Sequence, residues 1–223
     1  MATIHRTTMV PGKLDVLGDW LSRQPWYRDS GGPPTLTRAG GFRLDDPAGD
    51  VGIEFLFVTD GTDGEGTTYH VPLAYRGAPL PEAEEGLLGT SEHGVLGRRW
   101  IYDAAYDPVA VAQLLAFIGG ASAAQHQNES GTPDPSVVPH WTPAGRLSAP
   151  SPLEVSNAEP DRTTIAVDLT EASPAAVGRL SLDILRILRP TPVDEQRTGL
   201  GSVEADWARP DGGTARGAVA IVR

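Results

Sequence analysis

Two stretches decide the fold: Ile53-Glu54-Phe55-Leu56-Phe57-Val58-Thr59 and, after a break, Tyr69-His70-Val71-Pro72-Leu73-Ala74-Tyr75. β-Branched and aromatic residues dominate both, and such side chains suit a pleated, half-buried surface. Between them Asp60-Gly61-Thr62-Asp63-Gly64-Glu65-Gly66 is turn chemistry throughout. A β-hairpin is the natural unit. In the return strand Tyr69, Val71, Leu73 and Tyr75 share one face, and the alternation sends His70 to the other, read as the open face of the sheet. Pro72 has no N–H to donate, so this strand is expected at a sheet edge or with a bulge.

Working outward, residues 3–9 read as a short strand broken by Pro11-Gly12. From Lys13 to Arg23, Leu14, Leu17 and Leu21 recur at helical spacing with Val16 and Trp20 beside them, a helix that Pro25 stops. Ser30 to Pro34 is a loop. On the other side, Asp107-Pro108 is a helix start, with Asp as N-cap and Pro in the first turn. Val111, Leu114, Leu115 and Ile118 follow the helical stripe, and Gly119-Gly120 ends it. Ala121 to Pro152 turns rich in Ser, Gln, Pro and Gly, with Val137-Val138 and His140-Trp141 as anchors, and reads as a long, mobile connection. Beyond it the pattern is β: Thr163 to Leu169 alternates, Val203, Ala205 and Trp207 alternate, and Pro210-Asp211-Gly212-Gly213 turns the chain into a return strand at Ala215–Val222. Leu180 to Leu188 fits either period. The nearby Pro190 and Pro192 favour a strand with a bulge over a helix. The sum is a single α+β domain, a large curved antiparallel β-sheet packed on two amphipathic helices. Residues 1–120 form the first part, 121–152 the connection, and 153–223 hairpins that complete the same sheet, since neither half has an evident core of its own.

Composition narrows the function classes. The 223 residues carry a net charge of −11, which argues against nucleic acid and anionic membranes as partners, because both need a basic surface. With no cysteine, disulfides and thiolate chemistry are excluded. No secretory leader or run of transmembrane length is visible, so a cytoplasmic location is expected. Lys13 is the sole lysine among many arginines, the signature of a GC-rich genome.

Several groupings invite chemistry. Asp60, Asp63 and Glu65 sit in one turn, but their spacing departs from a calcium loop, and a solvated turn is the simpler reading. Glu92-His93 offers an acid/base pair or an ordinary hydrogen-bonded histidine. Trp20, Trp26, Tyr27 and Trp100 are either sugar-stacking platforms or packing residues. Arg98-Arg99 can grip an anion, or pair with Glu82, Glu84 or Glu85, the more economical reading. No histidine precedes an aspartate by two residues, no Gly-x-x-x-x-Gly-Lys loop occurs, and no Gly-x-Ser-x-Gly elbow occurs. No catalytic, cofactor-binding or metal residues are therefore assigned. The candidate ligand or partner surface is Trp26, Tyr27, His70, Arg76, Glu92, His93, Arg98, Arg99 and Trp100.

Three segments in order, Asp19–Tyr27, Tyr69–Leu80 and Gly89–Asp103, resemble the N-terminal cap of actinobacterial maltokinases over roughly residues 1–120. The resemblance implies a free-standing actinobacterial relative tied to maltose, trehalose or glycogen metabolism, of the kind sometimes labelled 1,4-alpha-glucan branching protein. Branching chemistry needs a (β/α)₈ barrel of about 250 residues, and this chain lacks the alternating pattern. In maltokinases the cap precedes a bilobal kinase and packs against its nucleotide lobe. The favoured expectation is thus a non-catalytic interaction or regulatory module without cofactor, whose partner is a kinase or another carbohydrate-metabolism protein, its oligomeric state open. The alternative is a small sugar-binding protein or enzyme using the sheet's open face, with a pocket lined by Tyr69, Tyr75, His93 and Trp100.

Overall fold

The computed structural model describes residues 8–29, 31–61, 66–142, 145–170, 177–191 and 199–223. In chain order its elements are β1 (Met9–Val10), α1 (Lys13–Leu21), β2 (Leu36–Leu44), β3 (Val51–Asp60), β4 (Thr67–Arg76), β5 (Leu87–His93), β6 (Gly97–Asp103), α2 (Pro108–Ile118), β7 (Gln125–His126), β8 (Val138–Trp141), β9 (Arg146–Ser148), β10 (Val155–Ser156), β11 (Arg162–Thr170), β12 (Val177–Leu185), β13 (Gly201–Ala208) and β14 (Thr214–Val222). Short 3₁₀ turns at Pro81–Gly86 and Ala104–Tyr106 flank the β5–β6 hairpin. The expected strand at 3–9 lies outside the described residues except for its last two, and so do residues 62–65 of the hairpin turn.

The strands form two seven-stranded sheets, not the single one expected. The first runs β1-β5-β6-β4-β3-β2-β7; the second runs β10-β11-β12-β14-β13-β8, with β9 beside β11. The reason is geometric: a twisted open sheet rarely exceeds about ten strands before it curls or splits. Residues 121–152, read as a connection, carry β7, β8 and β9, of which β7 joins the first sheet and the other two the second.

The first sheet is covered on both faces. Phe42, Leu44, Ile53, Phe55 and Phe57 face inward onto Ile165, Val167, Leu182, Ile184, Val203 and Trp207 of the second sheet. The same cluster takes in Val111, Leu114, Leu115, Phe117 and Ile118 of α2. Outward, Leu56, Val58, Tyr69, Val71 and Leu73 lie under Val16, Leu17, Trp20 and Leu21 of α1. Burial on both faces explains why β3 reads as a continuous apolar run instead of an alternating one. α2 keeps the expected Asp107 cap, whose carboxylate accepts from the N–H groups of Val109 and Ala110 at 2.9 and 3.1 Å. Its buried residues, Ala110, Val111, Leu114, Leu115, Phe117 and Ile118, fall on one broad face of the helix.

The stretch at 180–188 resolves as strand β12 followed by an extended segment that leaves the second sheet and joins the first. The Arg186 carbonyl accepts from His70 N–H at 2.9 Å, and Leu188 N–H donates to the Thr68 carbonyl at 2.8 Å. Residues 186–188 thereby close the half of the β4 edge that β6 leaves free, since β6 pairs only with Leu73–Arg76. Pro72 falls between these two partners. Its nitrogen faces the same side as that of His70, two residues earlier, so its missing hydrogen points into the gap. β4 is therefore central, and Pro72 needs neither a sheet edge nor a bulge. Where β2 meets β13 the backbones touch: at Gly40 (φ 144°) a Cβ would lie 3.5 Å from the Asp206 carbonyl oxygen.

Candidate functional site

The nine nominated residues separate into three groups. Trp26 and His70 are buried, with 1% and 0% exposure, so neither belongs to a surface. Trp26 packs edge-on against Trp20 at 5.7 Å between ring centroids and carries the Arg186 guanidinium over its ring at 5.1 Å. Tyr27 stacks on Tyr69 and donates to Asp60 at 2.7 Å. The Trp26–Tyr27 corner is thus part of the cover over the first sheet. His70 occupies the inner face, not an open one, because that face is roofed by the second sheet. Its ring lies 5.3 Å from that of Phe57, with Nδ1 3.1 Å from the Leu185 carbonyl oxygen. Burial, and then the nearby Arg186 charge, push its pKa down to about 3.

The second group shares one face of β4, β5 and β6. Register sets Arg76 opposite Trp100 and Trp100 opposite Thr90; one row out, Arg98 pairs with Glu92 and Glu92 with Val10. Arg76, Glu92, Arg98 and Trp100 therefore project to the same side as the inner core, at the end of the sheet where the cover thins. Arg76 is tied down by two hydrogen bonds to the buried Asp107 carboxylate at 2.5 and 2.9 Å. Glu92 and Arg98 form an exposed ion pair at 2.7 Å, worth less than about 1 kcal/mol. Beside them Val10 is 67% exposed.

His93 and Arg99 make up the third group and organise the β5–β6 turn. His93 Nδ1 accepts from the N–H groups of Val95 and Leu96 at 3.3 and 3.0 Å, while Arg99 Nη2 donates to the Leu96 carbonyl. These bonds hold up two aliphatic side chains, Val95 at 61% and Leu96 at 46% exposure. The expected pairing of Arg98 or Arg99 with Glu82, Glu84 or Glu85 does not occur. Those glutamates instead rim a cleft of about 640 Å³ at the opposite end of the hairpin, with Tyr106, Pro108, Pro152, Leu153 and Val155 among its walls. Nor do Tyr69, Tyr75, His93 and Trp100 line one pocket. The first two lie under α1 and the Trp20–Tyr27 segment, and Trp100 projects from the opposite face.

Sequence reasoning missed one fully buried charge. Arg186 is fully enclosed; its Nη2 pairs with Asp103, and its Nε donates to Thr163 at 2.7 Å. Thr163 in turn donates to Asn157, which donates to Tyr106 at 3.0 Å. The signal was present: an arginine inside the apolar run Leu180–Leu188 requires a buried partner. Glu54, also buried, receives Lys13, Tyr75 and Gln127 at 2.6, 2.8 and 2.9 Å. Burial raises its carboxyl, but the Lys13 charge and these hydrogen bonds outweigh it and hold the pKa below the usual value. Among the described residues no three histidine or carboxylate side chains gather as a metal site needs, and no helix is long and apolar enough to cross a membrane.

The matched family covers five strands of the first sheet. Residues 20–107 match the maltokinase N-terminal cap domain. Over this segment the chain is similar to a maltokinase cap. The match opens inside α1 and closes at the Asp107 cap of α2, so it contains β2 to β6 whole. The residues that close the β4 edge, 186–188, lie outside it.

Proposed function

We propose that the chain is a non-catalytic cap-like module that docks onto a second protein of maltose, trehalose or glycogen metabolism, a kinase-related enzyme being the first candidate. The observation that carries this reading is the shared face of Val10, Glu92, Arg98 and Trp100, which lies within or beside the cap-like segment. An exposed aliphatic group beside charged residues, all anchored on strands, suits a protein contact with an apolar centre and a polar rim. The similarity of residues 20–107 to the maltokinase N-terminal cap domain supports the maltose link. Catalysis is not part of the proposal: the nominated side chains are distributed over both faces of the sheet instead of converging on one reacting atom.

The test uses the purified chain as bait beside a Val10→Asp/Arg98→Glu variant of equal melting midpoint. The reading requires that a carbohydrate-metabolism enzyme be retained by the wild type and lost with the variant, and that its activity change when the bait is added back. Turnover of ATP with maltose or glucose by the isolated chain would refute it.

A further inference from the structure

The two ends of the β5–β6 hairpin are complementary to each other. At one end stands the turn tip, where His93 and Arg99 hold Val95 and Leu96 outward. Arg98 and Arg99 flank it, and Glu92 offsets one of those charges. The tip is thus apolar and locally cationic on a chain whose net charge is −11. At the other end is the cleft of about 640 Å³, apolar along Tyr106, Pro152, Leu153 and Val155 and rimmed by Glu82, Glu84 and Glu85. None of these three glutamates lies within ion-pair distance of a described cation, and Arg76, which acts on Glu82 from farther off, is held by Asp107. An apolar knob with cationic shoulders matches an apolar cleft with an anionic rim in both shape and charge.

One molecule cannot satisfy itself. The cleft borders the first residue of β5 and follows the last of β6, and each strand is 7 residues long. The tip is therefore roughly 20 Å away along the same rigid hairpin.

We propose that the Val95–Leu96 tip of one copy docks into the Glu82/Glu84/Glu85 cleft of a second copy. The contact is heterologous: each copy has one tip and one cleft, and every pairing leaves one of each free for the next. Association grows with concentration unless the rotation closes a ring. The proposal stands apart from the docking function above, since both halves of the contact lie in this chain and the Val10–Trp100 face is not used.

Sedimentation of the full-length chain from about 1 μM to about 1 mM spans the affinities of such a contact. The expected result is a weight-average mass that rises above the monomer with concentration. Leu96→Asp removes the tip and Glu84→Arg/Glu85→Arg inverts the cleft; each alone should remain a monomer. Mixed one to one, they should form a dimer and stop there, because the remaining tip and cleft are the damaged ones. All three side chains are exposed, so melting midpoints should match the wild type. If Leu96→Asp alters the midpoint, Val95→Asp repeats the tip test. A wild type that stays monomeric over the whole range overturns the proposal. So does a tip variant that still associates, or a mixture that does not dimerise.

Discussion

The first sheet treats its exposed backbone in two contrasting ways. Along β4 the free half-edge is sealed from within: residues 186–188 hydrogen-bond to Thr68 and His70, and a buried ion pair, Arg186–Asp103, lies behind them. At the β1 end no described residue does the same. β1 pairs with β5 at only two positions, and Val10, Val95 and Leu96 stand in solvent. A long unpaired edge is a liability that proteins cover or blunt. Here one is covered at the expense of burying a charge, and the other presents exposed aliphatic side chains on β1 and on the β5–β6 turn. The seam therefore carries stability, and the corner is free to carry recognition.

If that division is right, the largest effect comes from removing the seal. We propose that the two halves are one folding unit, so residues 1–120 expressed alone should show no cooperative urea transition. A transition matching that of the full chain would separate the halves into independent domains.

Acid should open the seam next. Folded His70 stays neutral down to about pH 3, whereas an unfolded histidine protonates near 6.5. Between those values the unfolded chain binds the extra proton, so stability falls as pH drops and levels off below about 3, by about 5 kcal/mol at most. Glu54, held below its usual value in the fold, adds to the loss with the same sign. Urea midpoints from pH 7 to 4 should fall, and His70→Gln should flatten the slope without removing the Glu54 share.

Asp103→Ala leaves Arg186 enclosed without its anion and should cost about 3–5 kcal/mol. Asp103→Leu/Arg186→Met should recover most of it. If the single variant is as stable as the wild type, the ion pair does not secure the seam. Trp26→Ala should cost about 3–5 kcal/mol, comparable to about 2–5 for Leu21→Ala, with partner binding intact while the variant stays folded. A variant that keeps its stability but loses binding would return Trp26 to the recognition surface. The smallest stability change, within about 0.5 kcal/mol, is expected for Val10→Asp, yet that variant should weaken capture of the docking partner.

Local chemistry was legible where one element's own residues decide it. Asp107-Pro108 followed by a 3.6-residue stripe specified α2, because capping and periodicity act within a dozen residues. The β3–β4 hairpin and the closing β13–β14 hairpin were legible for the same reason, as was the resemblance carried by Trp20–Tyr27, Tyr69–Leu80 and Gly89–Asp103. What no local pattern contains is which face of a strand another layer will cover. Alternation separated His70 from Tyr69, but only the arrival of the second sheet buried the His70 face as α1 buries the Tyr69 face. Pro72 forbade one hydrogen bond, and only the split partnership of β6 and residues 186–188 showed where that bond would have pointed. Trp26 after a helix-ending proline is compatible with surface or core until Arg186, 160 residues later, lies over its ring. These outcomes rest on contacts far apart in sequence, whose closure depends on the whole chain folding back on itself. Composition and periodicity determined the β-rich build and the capped helix, and three ordered segments carried the resemblance to a maltokinase cap. Tertiary structure decided the division into two sheets, the sealed and open edges, and hence which of the nominated residues are on the surface at all.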